Sequence, residues 1–168
     1  GLRGGRLVQR SRFAGTGGWS LTDAGRAQNC AHLAAELDAT GARPVVAAAL
    51  EAFAQLNARF LDAATRRQLH PMPGDPLAAN DHSDPRWDDR VIADRVGLGF
   101  RIGPGVHATG GGLARFDGYA ARYATSADGV RRGGTRWVDA LGIDSCHVVW
   151  IQLHEDLLAT LGVDRAHR

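Results

Sequence analysis

Val46, Ala49, Leu50, Phe53, Leu56, Phe60 and Leu61 recur at helical spacing behind Pro44. A stripe of that length predicts a helix from Pro44 to about Leu69 with one face buried. The rest of the chain must then supply elements to cover that face. The composition allows it: 44% of residues are hydrophobic and 23% charged, globular values that exclude wholesale disorder. At 168 residues the chain has room for one ordinary domain, or for a small module and a larger one. No apolar run is long enough to span a bilayer, and no apolar segment of signal-peptide type follows the first residues.

Upstream, residues 5–12 and 18–21 read as two strands joined by the glycine-containing loop Phe13-Ala14-Gly15-Thr16-Gly17. Thr22 is a good N-cap and Asp23 suits the positive end of a helix. That helix places Ala24, Ala27, Ala31, Ala34 and Leu33 or Leu37 on one side and stops at Gly41.

Downstream, His70 to Asp84 reads as a proline-rich loop. Asp84 and Pro85 open another helix, whose stripe continues through Trp87, Val91 and either Arg95 or Leu98. Residues 97–112 are ambiguous. Their glycines and Pro104 disfavour a helix, yet Leu98, Ile102, Val106, Leu113 and Phe116 keep a roughly helical spacing. An interrupted or frayed helix and a flexible loop both fit. Asp117 is expected to cap a short helix carrying Tyr119, Tyr123 and Val130, ending at Gly133. A short turn follows at Trp137, Val138 and Leu141. Asp144 or Ser145 caps the last helix, which ends at Gly162.

That last helix carries the chemistry-bearing side chains. His147, Trp150, His154, Leu157 and Leu161 share one face, and the first half is apolar nearly all round. His147 and His154 are about 10.5 Å apart along the axis, too far for one metal ion to bind both easily. Either is a core histidine bonded to a carboxylate or carbonyl. Otherwise it is the polar point of an organic-ligand pocket walled by Trp87, Tyr123 and Trp150, with Asp81 or His82 reaching in from the proline-rich loop. Asn80-Asp81-His82-Ser83-Asp84 also reads simply as turn and capping chemistry. Neither a phosphate-binding glycine loop nor a nucleophile elbow is present. Cys30 and Cys146 are expected to be buried thiols within helices, in a reducing compartment.

The first 22 residues hold Arg3, Arg6, Arg10 and Arg12 and no acid. All 20 basic residues are Arg, which with the heavy Ala and Gly usage reads as the codon bias of a GC-rich genome. Arg6, Arg10 and Arg12 share strand parity, with Val8 among them. A one-sided row of guanidinium groups suits phosphate contact, which gives affinity without sequence information. An ordinary solvated edge is the plainer alternative.

A basic strand, a glycine-containing turn and then Gly18-Trp19-Ser20-Leu21-Thr22-Asp23-Ala24-Gly25-Arg26 resemble the wing and following helix of bacterial winged-helix regulators of the MarR and PadR type. The later segments Asn80–Asp88 and Gly142–Leu158 are similar to the helical C-terminal domain of a group of regulators from GC-rich bacteria. The resemblance implies a wing over residues 1–22 and a helical dimerisation or ligand-sensing domain over 23–168. It also implies a helix-turn-helix before the wing, where this sequence has only Gly1–Gly4.

The expected fold is therefore mainly α, an N-terminal β-hairpin followed by a helical bundle. The expected function is that of the C-terminal portion of a cytoplasmic, homodimeric transcriptional regulator. Arg6, Arg10 and Arg12 contact DNA, and Asp81, His82, Trp87, Tyr123, His147, Trp150 and His154 surround a small-molecule effector. DNA binding would need the upstream helix-turn-helix. No cofactor, metal or membrane partner is expected. The alternative is a metal-binding or enzymatic helical protein using His82, His147 and His154.

Overall fold

The computed structural model describes residues 6–13, 16–110 and 113–163, with the backbone alone at Ser11, Phe13, Thr16 and 102–110. The hairpin comes first. Strands β1 (Val8–Phe13) and β2 (Thr16–Leu21) pair antiparallel, with Val8 opposite Leu21, Arg10 opposite Trp19 and Arg12 opposite Gly17. Both strands run further toward the turn than the glycines suggested, since Phe13 pairs with Thr16. The loop residues Ala14 and Gly15, the glycines Gly111 and Gly112, and the side chains of Ile102 and Val106 lie outside what is described.

Helices follow: α1 (Asp23–Thr40), α2 (Arg43–Gln68), α3 (Pro85–Gly110), α4 (Gly118–Arg131), the single turn α5 (Arg136–Asp139) and α6 (Cys146–Leu161). A short 3-10 turn, Ala114–Phe116, precedes α4. The mainly helical fold with an N-terminal hairpin is as the sequence predicts. Several termini are also set by the expected residues. The Thr22 hydroxyl accepts from Gly25 N at 3.1 Å, and Ser145 caps α6 through Val148 N. Gly41 and Gly162 end their helices in the left-handed conformation. Asp84 accepts from the Arg86 and Trp87 amides at 2.9 and 3.2 Å. Asp117 does not cap: it is itself helical, because the 3-10 turn runs directly into α4.

The bundle is organised around α2. It packs on both α3 and α6. Val46, Leu50, Phe53 and Phe60 are buried as the stripe requires, whereas Leu61 is exposed at the stripe's edge. Phe60 stacks on Trp150 of α6, with ring centres 4.2 Å apart and planes 5° from parallel, and Phe53 meets the same indole at 4.8 Å. Stacked aromatics of this kind add roughly 0.5–1.5 kcal/mol to their area burial. The Trp150 Nε1–H donates to Asn57 Oδ1 at 2.9 Å, so the indole enters the core with its polar atom satisfied.

α3 continues as one helix through the ambiguous glycine segment. At Gly99 a tertiary contact makes use of the missing side chain. A Cβ on Gly99 would fall 1.8 Å from the Tyr123 ring, so the bare backbone there admits the α4 tyrosine against α3. Tyr123 also donates its hydroxyl to Arg95 O at 2.9 Å. Packing outweighs the poor helix propensity of glycine, which is about 1 kcal/mol per residue.

α1 is largely exposed. Only Gly25 and Leu37 are buried along it, and the alanine stripe is exposed. The helix packs on β2 and α6, and its Glu36 pairs with Arg115. Cys30 is therefore exposed, not buried; Cys146, at the start of α6, is fully buried.

Candidate functional site: an arginine-histidine groove and a basic hairpin

The loop from Leu69 to Asp84 doubles back on the end of α2. His70 N donates to Ala78 O, and Asn80 N donates to Gln68 O at 2.7 Å. Asn80 is buried and fixes the loop. Its amide donates to Arg67 O at 3.0 Å and to Asp88 Oδ1 at 2.8 Å, while its Oδ1 accepts from His82 N. This network holds His82 in the left-handed region at φ 59°, a costly conformation that histidine tolerates better than most residues. The His82 ring meets Asp88 Oδ2 at 2.9 Å through Nδ1. Asn80 presents only donors to that nitrogen, but an unprotonated Nδ1 would face the carboxylate lone pairs. Nδ1 therefore carries a proton toward the carboxylate. Burial opposes ionisation of Asp88. Hydrogen bonds from Asn80 and His82 and the charges of His82 and Arg67 outweigh it, so the carboxyl stays below its ordinary range.

His82 lines one side of a groove of about 510 Å³ whose other walls come from α2, α3, α5 and α6. Arg67 stands on α2, Arg95 on α3, Asp139 on α5 and His147 on α6. Arg95 is 2% exposed. Its guanidinium lies over the Phe60 ring at 4.4 Å and donates through Nη2 to His147 Nδ1 at 2.8 Å. Its Nη1 is 4.0 Å from Asp139 Oδ2, an oxygen that accepts from Arg67 Nε at 3.1 Å. Arg95 Nε is buried with no hydrogen-bond partner among the described residues. Burial lowers the Arg95 pKa and outweighs the attraction of Asp139. His147 is held below its usual range by burial first and by the Arg95 charge second, with Asp139 opposing. A neutral His147 accepting at Nδ1 presents Nε2–H as a donor.

The sequence-predicted residues divide accordingly. His82 and His147 share this groove. Trp150 and Tyr123 are core residues facing α2 and α3, so the expected aromatic pocket does not assemble. Trp87 stacks on His70 at 4.5 Å and donates to Arg66 O at 2.9 Å. His154 stacks on Phe53 at 4.8 Å, two helical turns from the Phe60 that His147 faces. Asp81 is an exposed turn carboxylate, kept below its usual pKa by its hydrogen bonds to Ser83. Among the described residues no three His, Cys, Asp or Glu side chains converge to hold a metal ion. His147 also has a different partner from the expected carboxylate or carbonyl. That partner is a buried arginine, and the sequence marks Arg95 only as one of two ways to continue a stripe.

The hairpin forms a second feature. Arg6, Arg10 and Arg12 are exposed, but β1 begins at Val8, so Arg6 precedes the strand and only Arg10 and Arg12 share its parity. Arg10 and Trp19 are direct cross-strand partners, so they project from the same face, and Trp19 is 74% exposed. The hairpin is fastened to α1 by Leu21-Thr22-Asp23-Ala24-Gly25-Arg26. Thr22 donates from N to Leu7 O at 3.0 Å and from its hydroxyl to Arg6 O at 2.6 Å, and Arg26 donates to Leu21 O at 2.9 Å. A Cβ on Gly25 would lie 1.9 Å from Leu7 O, so only glycine lets the strand rest against the helix. Trp19 and the motif's fastening role were not visible as site features in the sequence.

No helix among the described residues is long and apolar enough to cross a membrane. Comparisons with protein-family models, with curated proteins and with solved structures found no match.

Proposed function

We propose that this chain is the wing and sensor portion of a DNA-binding transcriptional regulator. The carrying observation is the exposed Arg10–Trp19 cross-strand pair on a hairpin fastened to a helix. Guanidinium groups on one face take phosphate oxygens, and an adjacent aromatic packs on sugar. Such contacts give affinity and register, while base readout belongs to a separate element. The helical domain provides the groove between Arg67, Arg95, Asp139 and His147 as the place for a small effector. An effector there alters DNA affinity only by binding two arrangements of the domain unequally. Duplex binding by this chain, and by the chain extended upstream, tests the reading. Affinity that falls steeply with salt supports it. No salt-sensitive binding by the extended form refutes it.

A second reading, an enzyme using His82, is favoured by the His82–Asp88 pair, in which a carboxylate fixes the imidazole tautomer. Ester hydrolysis lost in His82→Gln and weakened in Asp88→Asn would support it. Turnover indifferent to both substitutions would reject it.

A further inference from the structure

We infer that the groove between α2, α3, α5 and α6 binds a small organic monocarboxylate through Arg67 and Arg95, and that Asp139 competes with it for the same two arginines. The inference rests on the sensor reading of the helical domain and names the chemistry of its effector.

Three observations carry it. The first is the state of Arg95. A buried guanidinium needs a counter-charge and partners for its N–H groups. Here one N–H meets a neutral imidazole, Nε meets nothing among the described residues, and the nearest carboxylate oxygen is 4.0 Å away. That oxygen is already bonded to Arg67. One carboxylate thus serves two guanidinium groups and fits neither in the bidentate geometry arginine favours.

The second is charge. Of the lining residues Arg67 and Arg95 are cationic and Asp139 anionic, while Asp88 behind His82 is matched by that histidine, so the walls carry more cationic than anionic groups. His147 adds none, since it accepts from Arg95. A monoanion matches this balance. The donors Arg67, Arg95 and His147 Nε2–H suit carboxylate oxygens.

The third is shape. Ala64 and Leu141 contribute the groove's apolar wall, and Leu141 is 82% exposed beside it. A volume of about 510 Å³ is ample for a small organic acid. Asp139 closes a single-turn helix, and its side chain is 43% exposed. A ligand carboxylate that takes its place removes one tie between α5 and the α2–α3 pair.

The test is titration of the protein, without DNA, with acetate, butyrate, hexanoate and benzoate, each against its neutral amide, by calorimetry and thermal shift. The expected result is saturable binding of at least one acid and not of its amide. Asp139→Asn removes the competing charge and keeps the shape, and should tighten binding by about tenfold. Arg67→Met and Arg95→Met should each weaken it by about tenfold or more. Arg67 is partly exposed, so its variant remains informative if Arg95→Met fails to fold. The inference is overturned if no acid binds wild type or Asp139→Asn better than its amide. Weaker binding in Asp139→Asn, or unchanged binding in Arg67→Met, overturns it equally. Because DNA is absent, failure here leaves the hairpin's phosphate contact to be judged by its own salt titration.

Discussion

Arg95 of α3 donates a 2.8 Å hydrogen bond to Nδ1 of His147 on α6, so a buried cation is held by a neutral imidazole. The pair ties two helices that both pack on α2, and it fixes the histidine's protonation state. Protonating His147 would place a second positive charge against Arg95 in a half-buried site.

Stability should therefore depend on pH through His147. Its folded-state pKa lies below the ordinary 6.5, because burial and Arg95 oppose protonation. The unfolded chain binds the proton more readily, so the contribution is complete above about pH 6.5 and is lost as pH falls toward the folded value. The slope from this one group is at most about 1.4 kcal/mol per pH unit. Denaturant midpoints at pH 7.5 and 5.5 should fall further in wild type than in His147→Gln, which keeps an acceptor for Arg95. Equal losses would contradict the assignment.

Asn80 is expected to govern the groove's rim. Asn80→Ala removes the donor to Arg67 O and Asp88 and the acceptor for His82 N. Leaving buried polar groups unpaired costs about 1–3 kcal/mol. The loop should also release His82 from its positive φ. Chemical denaturation and amide exchange at Asp81–Ser83 measure the two effects. Unchanged exchange in the variant would show that the loop is held otherwise.

Gly25→Ala should uncouple the hairpin from α1. The added methyl meets the Leu7 carbonyl at 1.9 Å, and backbone there must move. Overpacking of this kind costs about 1–3 kcal/mol. The strand contacts of Thr22 should weaken while the bundle melts normally. Loss of hairpin cross-strand NMR contacts with an intact Trp150 environment is the expected signature; an undisturbed hairpin would contradict it.

Gly99→Ala should disturb the α3–α4 contact, because its methyl would occupy the space of the Tyr123 ring. A destabilisation of about 1–3 kcal/mol is expected. Combining it with Tyr123→Leu should recover part of that loss, a coupling that a double-mutant cycle reads directly. Strict additivity would show that the ring is not the obstacle.

These positions also show how far the sequence could be read. α2 and α6 were legible because Val46–Phe60 and the set His147, Trp150, His154, Leu157 and Leu161 repeat at helical spacing, and because Asp144 or Ser145 and Gly162 mark the ends of α6, of which Ser145 is the cap. The helix through Gly97–Gly110 was not, because its glycines and Pro104 argue against a helix, and no local pattern reports a contact such as that of Tyr123 on Gly99. The exposure of Cys30 followed from the same limit: an alanine-rich stripe marks a helix face without saying whether anything covers it. In the groove, His82 and His147 stood out as histidines. Arg95, Arg67 and Asp139 did not, since Arg95 and His147 are 52 residues apart and a charged residue on a stripe looks like an interruption of the core. Trp150 and Tyr123 looked like pocket walls for the reason they are core: both are large, apolar and on buried faces.

The most direct test of the central claim, that the hairpin contacts nucleic-acid phosphate, is the salt dependence of duplex binding by wild type and by Arg10→Gln/Arg12→Gln. Logarithmic affinity should fall linearly with logarithmic salt concentration, and the double variant should lose a slope of about one for each arginine that meets a phosphate. A slope unchanged by the two substitutions would contradict the account.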